Sequence, residues 1–195
     1  WNNAALWSTG LVPTSVDTAI INSGNPQLPT GLTFQVADVR LQGGTLSGAG
    51  TLETMNFVWT AGTLGSGGGT LSILAGGTGS ASGAGLGNLT GFTLRNAGTF
   101  TWSATGSSSP GQMFVILGGR IVNAVGGVFN VTSAIQFITP GGTGDGYFDN
   151  LGTFRKTTSA GAVIFGQGQG VVGEEPHRAA DPQQTHADVD GLALT

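Results

Sequence analysis

Phe92-Thr-Leu-Arg-Asn-Ala-Gly-Thr-Phe100, Arg120-Ile-Val-Asn-Ala-Val-Gly-Gly-Val-Phe129 and Tyr147-Phe-Asp-Asn-Leu-Gly-Thr-Phe154 can be laid over one another. Their asparagines, Asn96, Asn123 and Asn150, fall 27 residues apart both times. Two residues before each stands a large apolar side chain: Leu94, Ile121 or Phe148. After each come one or two glycines and then a phenylalanine. A repeat of that length with strand–turn–strand chemistry implies a solenoid, in which each coil buries its apolar face only by stacking on its neighbours.

Upstream the rhythm continues on a shorter period. Gly44-Thr-Leu46 and Gly62-Thr-Leu64 begin 18 residues apart, Gly50-Thr-Leu52 and Gly69-Thr-Leu71 19 apart. The difference in coil length is expected to be taken up in loops, with 76–87 and 103–111 as the protruding ones. Leu32, Phe34 and Val36 alternate with Thr33 and Gln35, the pattern of a half-buried strand. Apolar residues pair at i and i+2, and glycines interrupt before any helical stripe can build. The fold class expected is all-β, a single-stranded parallel β-helix with Gly-rich turns, spanning residues 1–170. Within it residues 1–31 form an opening cap segment, with turns at Pro13–Asp17 and at Ser23–Pro26.

Composition agrees. Gly, Pro, Ser and Gln make up about a third of the 195 residues, a share that suggests disorder when aperiodic. The regular apolar positions instead make glycine the punctuation between short strands. Only 8% of residues are charged, so Thr, Ser and Asn supply the polarity, as suits hydroxyl-rich outer faces of strands. Six Lys plus Arg, scattered, make no basic stripe and exclude nucleic acid as the expected partner. There is no cysteine, so disulfides, thiolate metal sites and a Cys nucleophile are excluded. No apolar run approaches the ~20 residues of a membrane span, and the opening Trp1 reads as the start of a mature segment or of a fragment.

The rhythm stops near residue 170. Acids and bases balance up to that point, and residues 171–195 carry the whole net charge of −4. This stretch reads as an acidic, disordered or atypical C-terminal tail. A fourth asparagine would fall at 177, where the chain has His177.

At its Gly-Thr-Leu and Asn-x-Gly-Thr-Phe segments the chain resembles bacterial surface proteins with autotransporter-type, haemagglutinin-like β-strand repeats. The run from Trp7-Ser-Thr-Gly10 to Val12-Pro-Thr-Ser-Val-Asp-Thr-Ala-Ile-Ile21 is similar to the stretch that opens such repeat regions. The resemblance covers roughly residues 1–170. It implies a right-handed parallel β-helix, exported and either secreted or displayed at the cell surface, with no catalytic signature to carry over.

Each chemical candidate has a structural counterpart. The three asparagines could ligate sugar or ion; the simpler expectation is an internal ladder at a β-helix turn, each amide bonding the next. Asp145 and Asp149 with Arg155 and Lys156 form the densest charge cluster, the composition that acid/base cleavage of a glycosidic or uronic-acid bond needs. Turn chemistry at Asp145 and surface pairing at Asp149 are the simpler expectation, and Asp38 with Arg40 reads as a surface ion pair. His177 and His186 match no zinc spacing. Gly65-Ser-Gly-Gly-Gly69 has no following helix to hold a phosphate. Trp7, Trp59 and Trp102 are sugar platforms if exposed and core packing otherwise.

The expected function is therefore non-enzymatic: an extracellular rod, spacer or adhesive module without cofactor or metal. Surface glycans or proteins of a host or neighbouring cell are its partners, and its coil ends are prone to end-to-end association. Two alternatives stand beside it. One is a carbohydrate-binding or polysaccharide-cleaving β-helix using Asp145, Asp149, Arg155 and Lys156. The other is an ice- or crystal-binding face built from Thr45, Thr51, Thr63 and Thr70.

Overall fold

The structure is a computed structural model that describes residues 1–103, 111–133, 135–140, 146–157, 163–168 and 193–194. Almost every described element is extended. After a short 3-10 turn at Ala4–Leu6 come β1 (Thr18–Ile21), β2 (Gln27–Leu28), β3 (Thr33–Gly48), β4 (Thr51–Gly65) and β5 (Thr70–Thr90). There follow β6 (Thr93–Asn96), β7 (Thr99–Trp102), β8 (Gly111–Ile116), β9 (Arg120–Asn123) and β10 (Val128–Val131). The last are β11 (Ile135–Pro140), β12 (Tyr147–Asn150), β13 (Thr153–Lys156), β14 (Val163–Gly168) and β15 (Ala193–Leu194). Apart from β15, which runs antiparallel to β14, every pairing is parallel and joins one coil to the next. The result is a β-solenoid of about five turns.

Each coil contributes to three walls. β3, β4 and β5 each bend round all three without a break, whereas later coils use three separate strands. The first wall stacks residues 33–36, 51–54 and 70–73, then β6, β9 and β12. The second stacks β1, 38–41, 56–59 and 78–81, then β7, β10 and β13. The third carries the remainder, ending in β8, β11 and β14. Corresponding residues of the first wall are Thr33, Thr51, Thr70, Thr93, Arg120 and Tyr147, so the coils lengthen from 18 to 27 residues along the stack. The segments of the first two walls stay four residues long, and residues are added between them, as between Ile73 and Thr78.

Strand alternation places every second residue inside. On the first wall Leu52, Leu71, Leu94 and Ile121 form one fully buried column. On the second, Val39, Phe57, Phe100 and Phe129 form another, with Leu41, Trp59, Trp102 and Val131 beside it. Fully burying side chains of this size stabilises the fold by roughly 1.5–3 kcal/mol each. Gly79 and Ala81 interrupt these columns for a steric reason. A Cβ on Gly79 would lie 2.4 Å from both Ile73 Cδ1 and Phe100 Cδ2. Across Ala81 the rings of Trp59 and Trp102 meet edge-on, 6.2 Å apart. At the N-terminal end Trp1 is buried, edge-on to Trp7 at 5.0 Å and 6.1 Å from Phe34 of the first coil.

Four expectations need correction. Residues 76–87 are not a protruding loop: they belong to the continuous strand β5, and 78–81 build the second wall. Gly77 and Gly79 there serve close packing, whereas Gly76 and Gly83 take positive φ. Residues 104–110 of the other expected loop lie outside the described residues. Leu32 is exposed, because it precedes β3 in a turn closed by its N–H to the Pro29 carbonyl. Asp38 does not pair with Arg40; its carboxylate accepts from Thr18 Oγ1 at 3.0 Å and Asn56 Nδ2 at 2.7 Å instead. Finally, Thr45 and Thr63 are register partners on the third wall while Thr51 and Thr70 are partners on the first. These four threonines therefore do not share one plane.

Candidate functional site

The asparagines occupy the last inward position of the first wall, where the chain turns into the second. Earlier coils fill this column with Val36, Thr54 and Ile73. Asn96 Nδ2 donates to Asn123 Oδ1 at 2.9 Å and to the Val128 carbonyl at 3.0 Å, both in the next coil. Asn123 Nδ2 repeats this one coil on, to Asn150 Oδ1 at 2.7 Å and the Thr153 carbonyl at 3.1 Å. Asn96 Oδ1 also accepts from the Gly98 N–H at 3.2 Å. Asn96 and Asn123 are completely buried, and both amide hydrogens of each are used. A neutral amide with every donor engaged inside the solenoid has no proton to give and no route to a ligand. Its work is to join coils.

The glycines after each asparagine follow from the same geometry. A Cβ on Gly127 would meet the Asn96 carbonyl oxygen at 2.5 Å and Asn123 Oδ1 at 2.7 Å. One on Gly152 would meet the Gly127 carbonyl oxygen at 2.3 Å and Asn123 Nδ2 at 2.9 Å. Since the obstructing atoms are mostly backbone, the neighbour cannot step aside cheaply. We expect Gly127→Ala to cost about 2 kcal/mol or more, measured as a fall in ΔG of urea unfolding. An unchanged unfolding midpoint would rule out this crowding.

The charged candidates separate. Asp149 lies on the first wall, in β12, and Arg155 and Lys156 lie on the second, in β13. Asp145 lies outside the described residues, as do His177, His186 and all of the tail except β15. The partner of Asp149 is Arg120: its Nε donates to Asp149 Oδ2 across adjacent strands, with the Asp149 side chain 13% and the Arg120 side chain 51% exposed. Arg120 is also the register partner of Tyr147, and its guanidinium carbon lies 5.8 Å from the centre of the Tyr147 ring. Tyr147 is 45% exposed. These two residues were missed as a pair, although both open their segments in the 27-residue alignment and so had to become neighbours.

Elsewhere several outward polar side chains bond to one another, beside scattered exposed apolar residues such as Val16 and Val125. On the second wall Thr78 Oγ1 donates to Asn56 Oδ1 at 2.9 Å, extending the Thr18–Asp38–Asn56 chain of hydrogen bonds along four coils. Just before β1, the Thr14 hydroxyl and N–H both donate to Asp17 Oδ2, which holds that carboxyl below its ordinary pKa. Trp59 and Trp102 are core residues with no exposed platform, and Trp7 is half-buried against the core. Among the described residues no group of three His, Cys, Asp or Glu could hold a metal ion. None of their helices is long and apolar enough to cross a membrane. Comparisons with protein-family models, curated proteins and solved structures return no match.

Proposed function

We propose that this chain is a non-enzymatic structural and adhesive module of an exported bacterial protein, working as a rigid spacer at the cell surface or outside the cell. The observation that carries this reading is the asparagine ladder. It devotes buried, fully bonded side-chain amides to joining coil to coil. A pull or shear on one coil is then passed to the next through amide–amide and amide–backbone bonds, in addition to the strand pairing. Polarity built from hydroxyls and amides suits a surface that must stay soluble without strong charge. At about 4.8 Å per coil, five turns span roughly 24 Å, so length as a spacer comes from adding coils of the same kind. The resemblance to haemagglutinin-like repeats supports the extracellular setting, and surface glycans or neighbouring-cell proteins are the partners it suggests.

The test separates holding from cutting. The purified chain, incubated with polysaccharides and with whole cells, is expected to be retained without releasing reducing ends or unsaturated uronates. Release of such products in proportion to protein concentration, and its loss on Asp149→Asn, would replace this reading with a catalytic one.

A further inference from the structure

The outer face of the first wall changes character along the stack. The column that holds Thr33, Thr51, Thr70 and Thr93 continues as Arg120 and then Tyr147. Tyr147 is the only tyrosine of the chain, and nothing in the packing of the wall requires an aromatic there, since its side chain points outward. Arg120 covers one side of the ring. Among the described residues the opposite side meets no other ring, and the phenol oxygen makes no hydrogen bond.

We propose that Tyr147, Arg120 and Asp149 form a binding subsite for a neutral pyranose ring of a glycan. A pyranose has an apolar C–H side and a rim of hydroxyls. The exposed part of the Tyr147 ring matches the first, because an exposed aromatic surface gains by covering apolar hydrogens. The rim meets groups that are still available. Among the described residues only Nε of Arg120 and Oδ2 of Asp149 are used, in their ion pair, which leaves the terminal guanidinium nitrogens, Asp149 Oδ1 and the phenol oxygen. Donors and acceptors of both kinds thus surround one flat apolar surface, the composition that orients a small polyhydroxylated ligand. Charge decides between sugar classes. Arg120 and Asp149 neutralise each other, so the subsite offers no net cation to a uronate and no net anion to an amino sugar.

The geometry is also set before any ligand arrives. Arg120 and Tyr147 are held as register partners by the β9–β12 pairing, and the ion pair fixes Arg120 against the ring. Little side-chain freedom is left to lose on binding. This inference rests on the adhesive part of the proposed function and gives it a ligand and a place. The rigid-spacer part does not depend on it.

A single tyrosine makes the test direct. The full chain with ring-labelled tyrosine gives one set of NMR signals, titrated with cello-, manno- and galacto-oligosaccharides and, separately, with oligogalacturonate. A saturable shift of the Tyr147 signals with at least one neutral oligosaccharide is expected. Tyr147→Ala should then weaken binding of that sugar about tenfold or more, and Tyr147→Phe should stay within about threefold of the parent. Arg120→Gln should weaken it while leaving the circular dichroism spectrum unchanged. No shift with any probe, a shift with oligogalacturonate alone, or binding untouched by Tyr147→Ala would each overturn the subsite. None of these results bears on whether the chain cleaves polysaccharide, so the proposed function is judged separately.

Discussion

Replacing Asn123 by alanine should lower the stability of the fold by about 3 kcal/mol, and replacing it by aspartate should lower it further at neutral pH. Asn123 accepts from Asn96 and donates to Asn150 Oδ1 and the Thr153 carbonyl, with no access to water that could take over. Alanine leaves both acceptors without those bonds and opens a void at the corner. Each stranded buried group costs roughly 1–3 kcal/mol. Aspartate keeps the shape but inverts the chemistry, since a carboxylate cannot donate to the two oxygens it would face. Burial would raise the pKa of that new carboxyl above its unfolded value, so the defect of Asn123→Asp should grow as pH rises from about 4 and shrink on acidification. Urea unfolding followed by circular dichroism, at pH 4 and pH 7, measures both variants. An alanine variant within about 1 kcal/mol of the parent, or an aspartate defect indifferent to pH, would show that the ladder does not hold the coils together.

Phe129→Ala should be comparably damaging, at about 3–5 kcal/mol. Phe129 is wholly buried in the middle of an aromatic stack. Its ring centre lies 5.0 Å from Phe100 and 5.8 Å from Phe154, both nearly parallel, and 5.2 Å from Phe148, edge-on. Three coils meet at this residue, and the hydrogen-bonded walls limit how far they can collapse into the space it leaves. The cost should therefore lie toward the cavity-forming end of such substitutions. Loss of less than about 1.5 kcal/mol in the same urea experiment would mean that the neighbouring coils close the gap. A Phe129→Leu variant, which keeps most of the volume, separates packing from aromatic stacking.

The parts of this fold that were legible in the sequence share one property: they repeat without gaps. The 27-residue spacing placed Asn96, Asn123 and Asn150 in one column, and the structure has them hydrogen-bonded in that order. The parallel solenoid followed from the same spacing. Legibility fell where coil length changes. The Thr18–Asp38–Asn56–Thr78 chain of the second wall has unequal intervals, so no alignment at a fixed period brings those residues together. Residues 76–87 were misassigned because glycine signals a turn in most strands. Here Gly79 is needed so that Phe100 and Ile73 can fill the interior from neighbouring positions. The pairing of Asp149 was misplaced for a third reason. Arg155 and Lys156 are near it along the chain, but a corner puts them on another wall, and Arg120, 29 residues earlier, is the true neighbour. Distance along the chain is a poor guide to which charges meet once strands pair coil to coil.

The interleaving of large and small side chains at Phe57, Gly79 and Phe100, and at Trp59, Ala81 and Trp102, has a consequence for inheritance. In many solenoids one unit can be copied or exchanged, because each carries the same interior. Here the coil with Gly79 and Ala81 fits only between two bulky neighbours. Duplicated in tandem it would leave a hole, and deleted it would bring Trp59 and Trp102, now edge-on across Ala81, into adjacent coils. Each coil thus carries an address as well as a shape. A chain of this kind can lengthen at its corners or its ends far more readily than by repeating its middle.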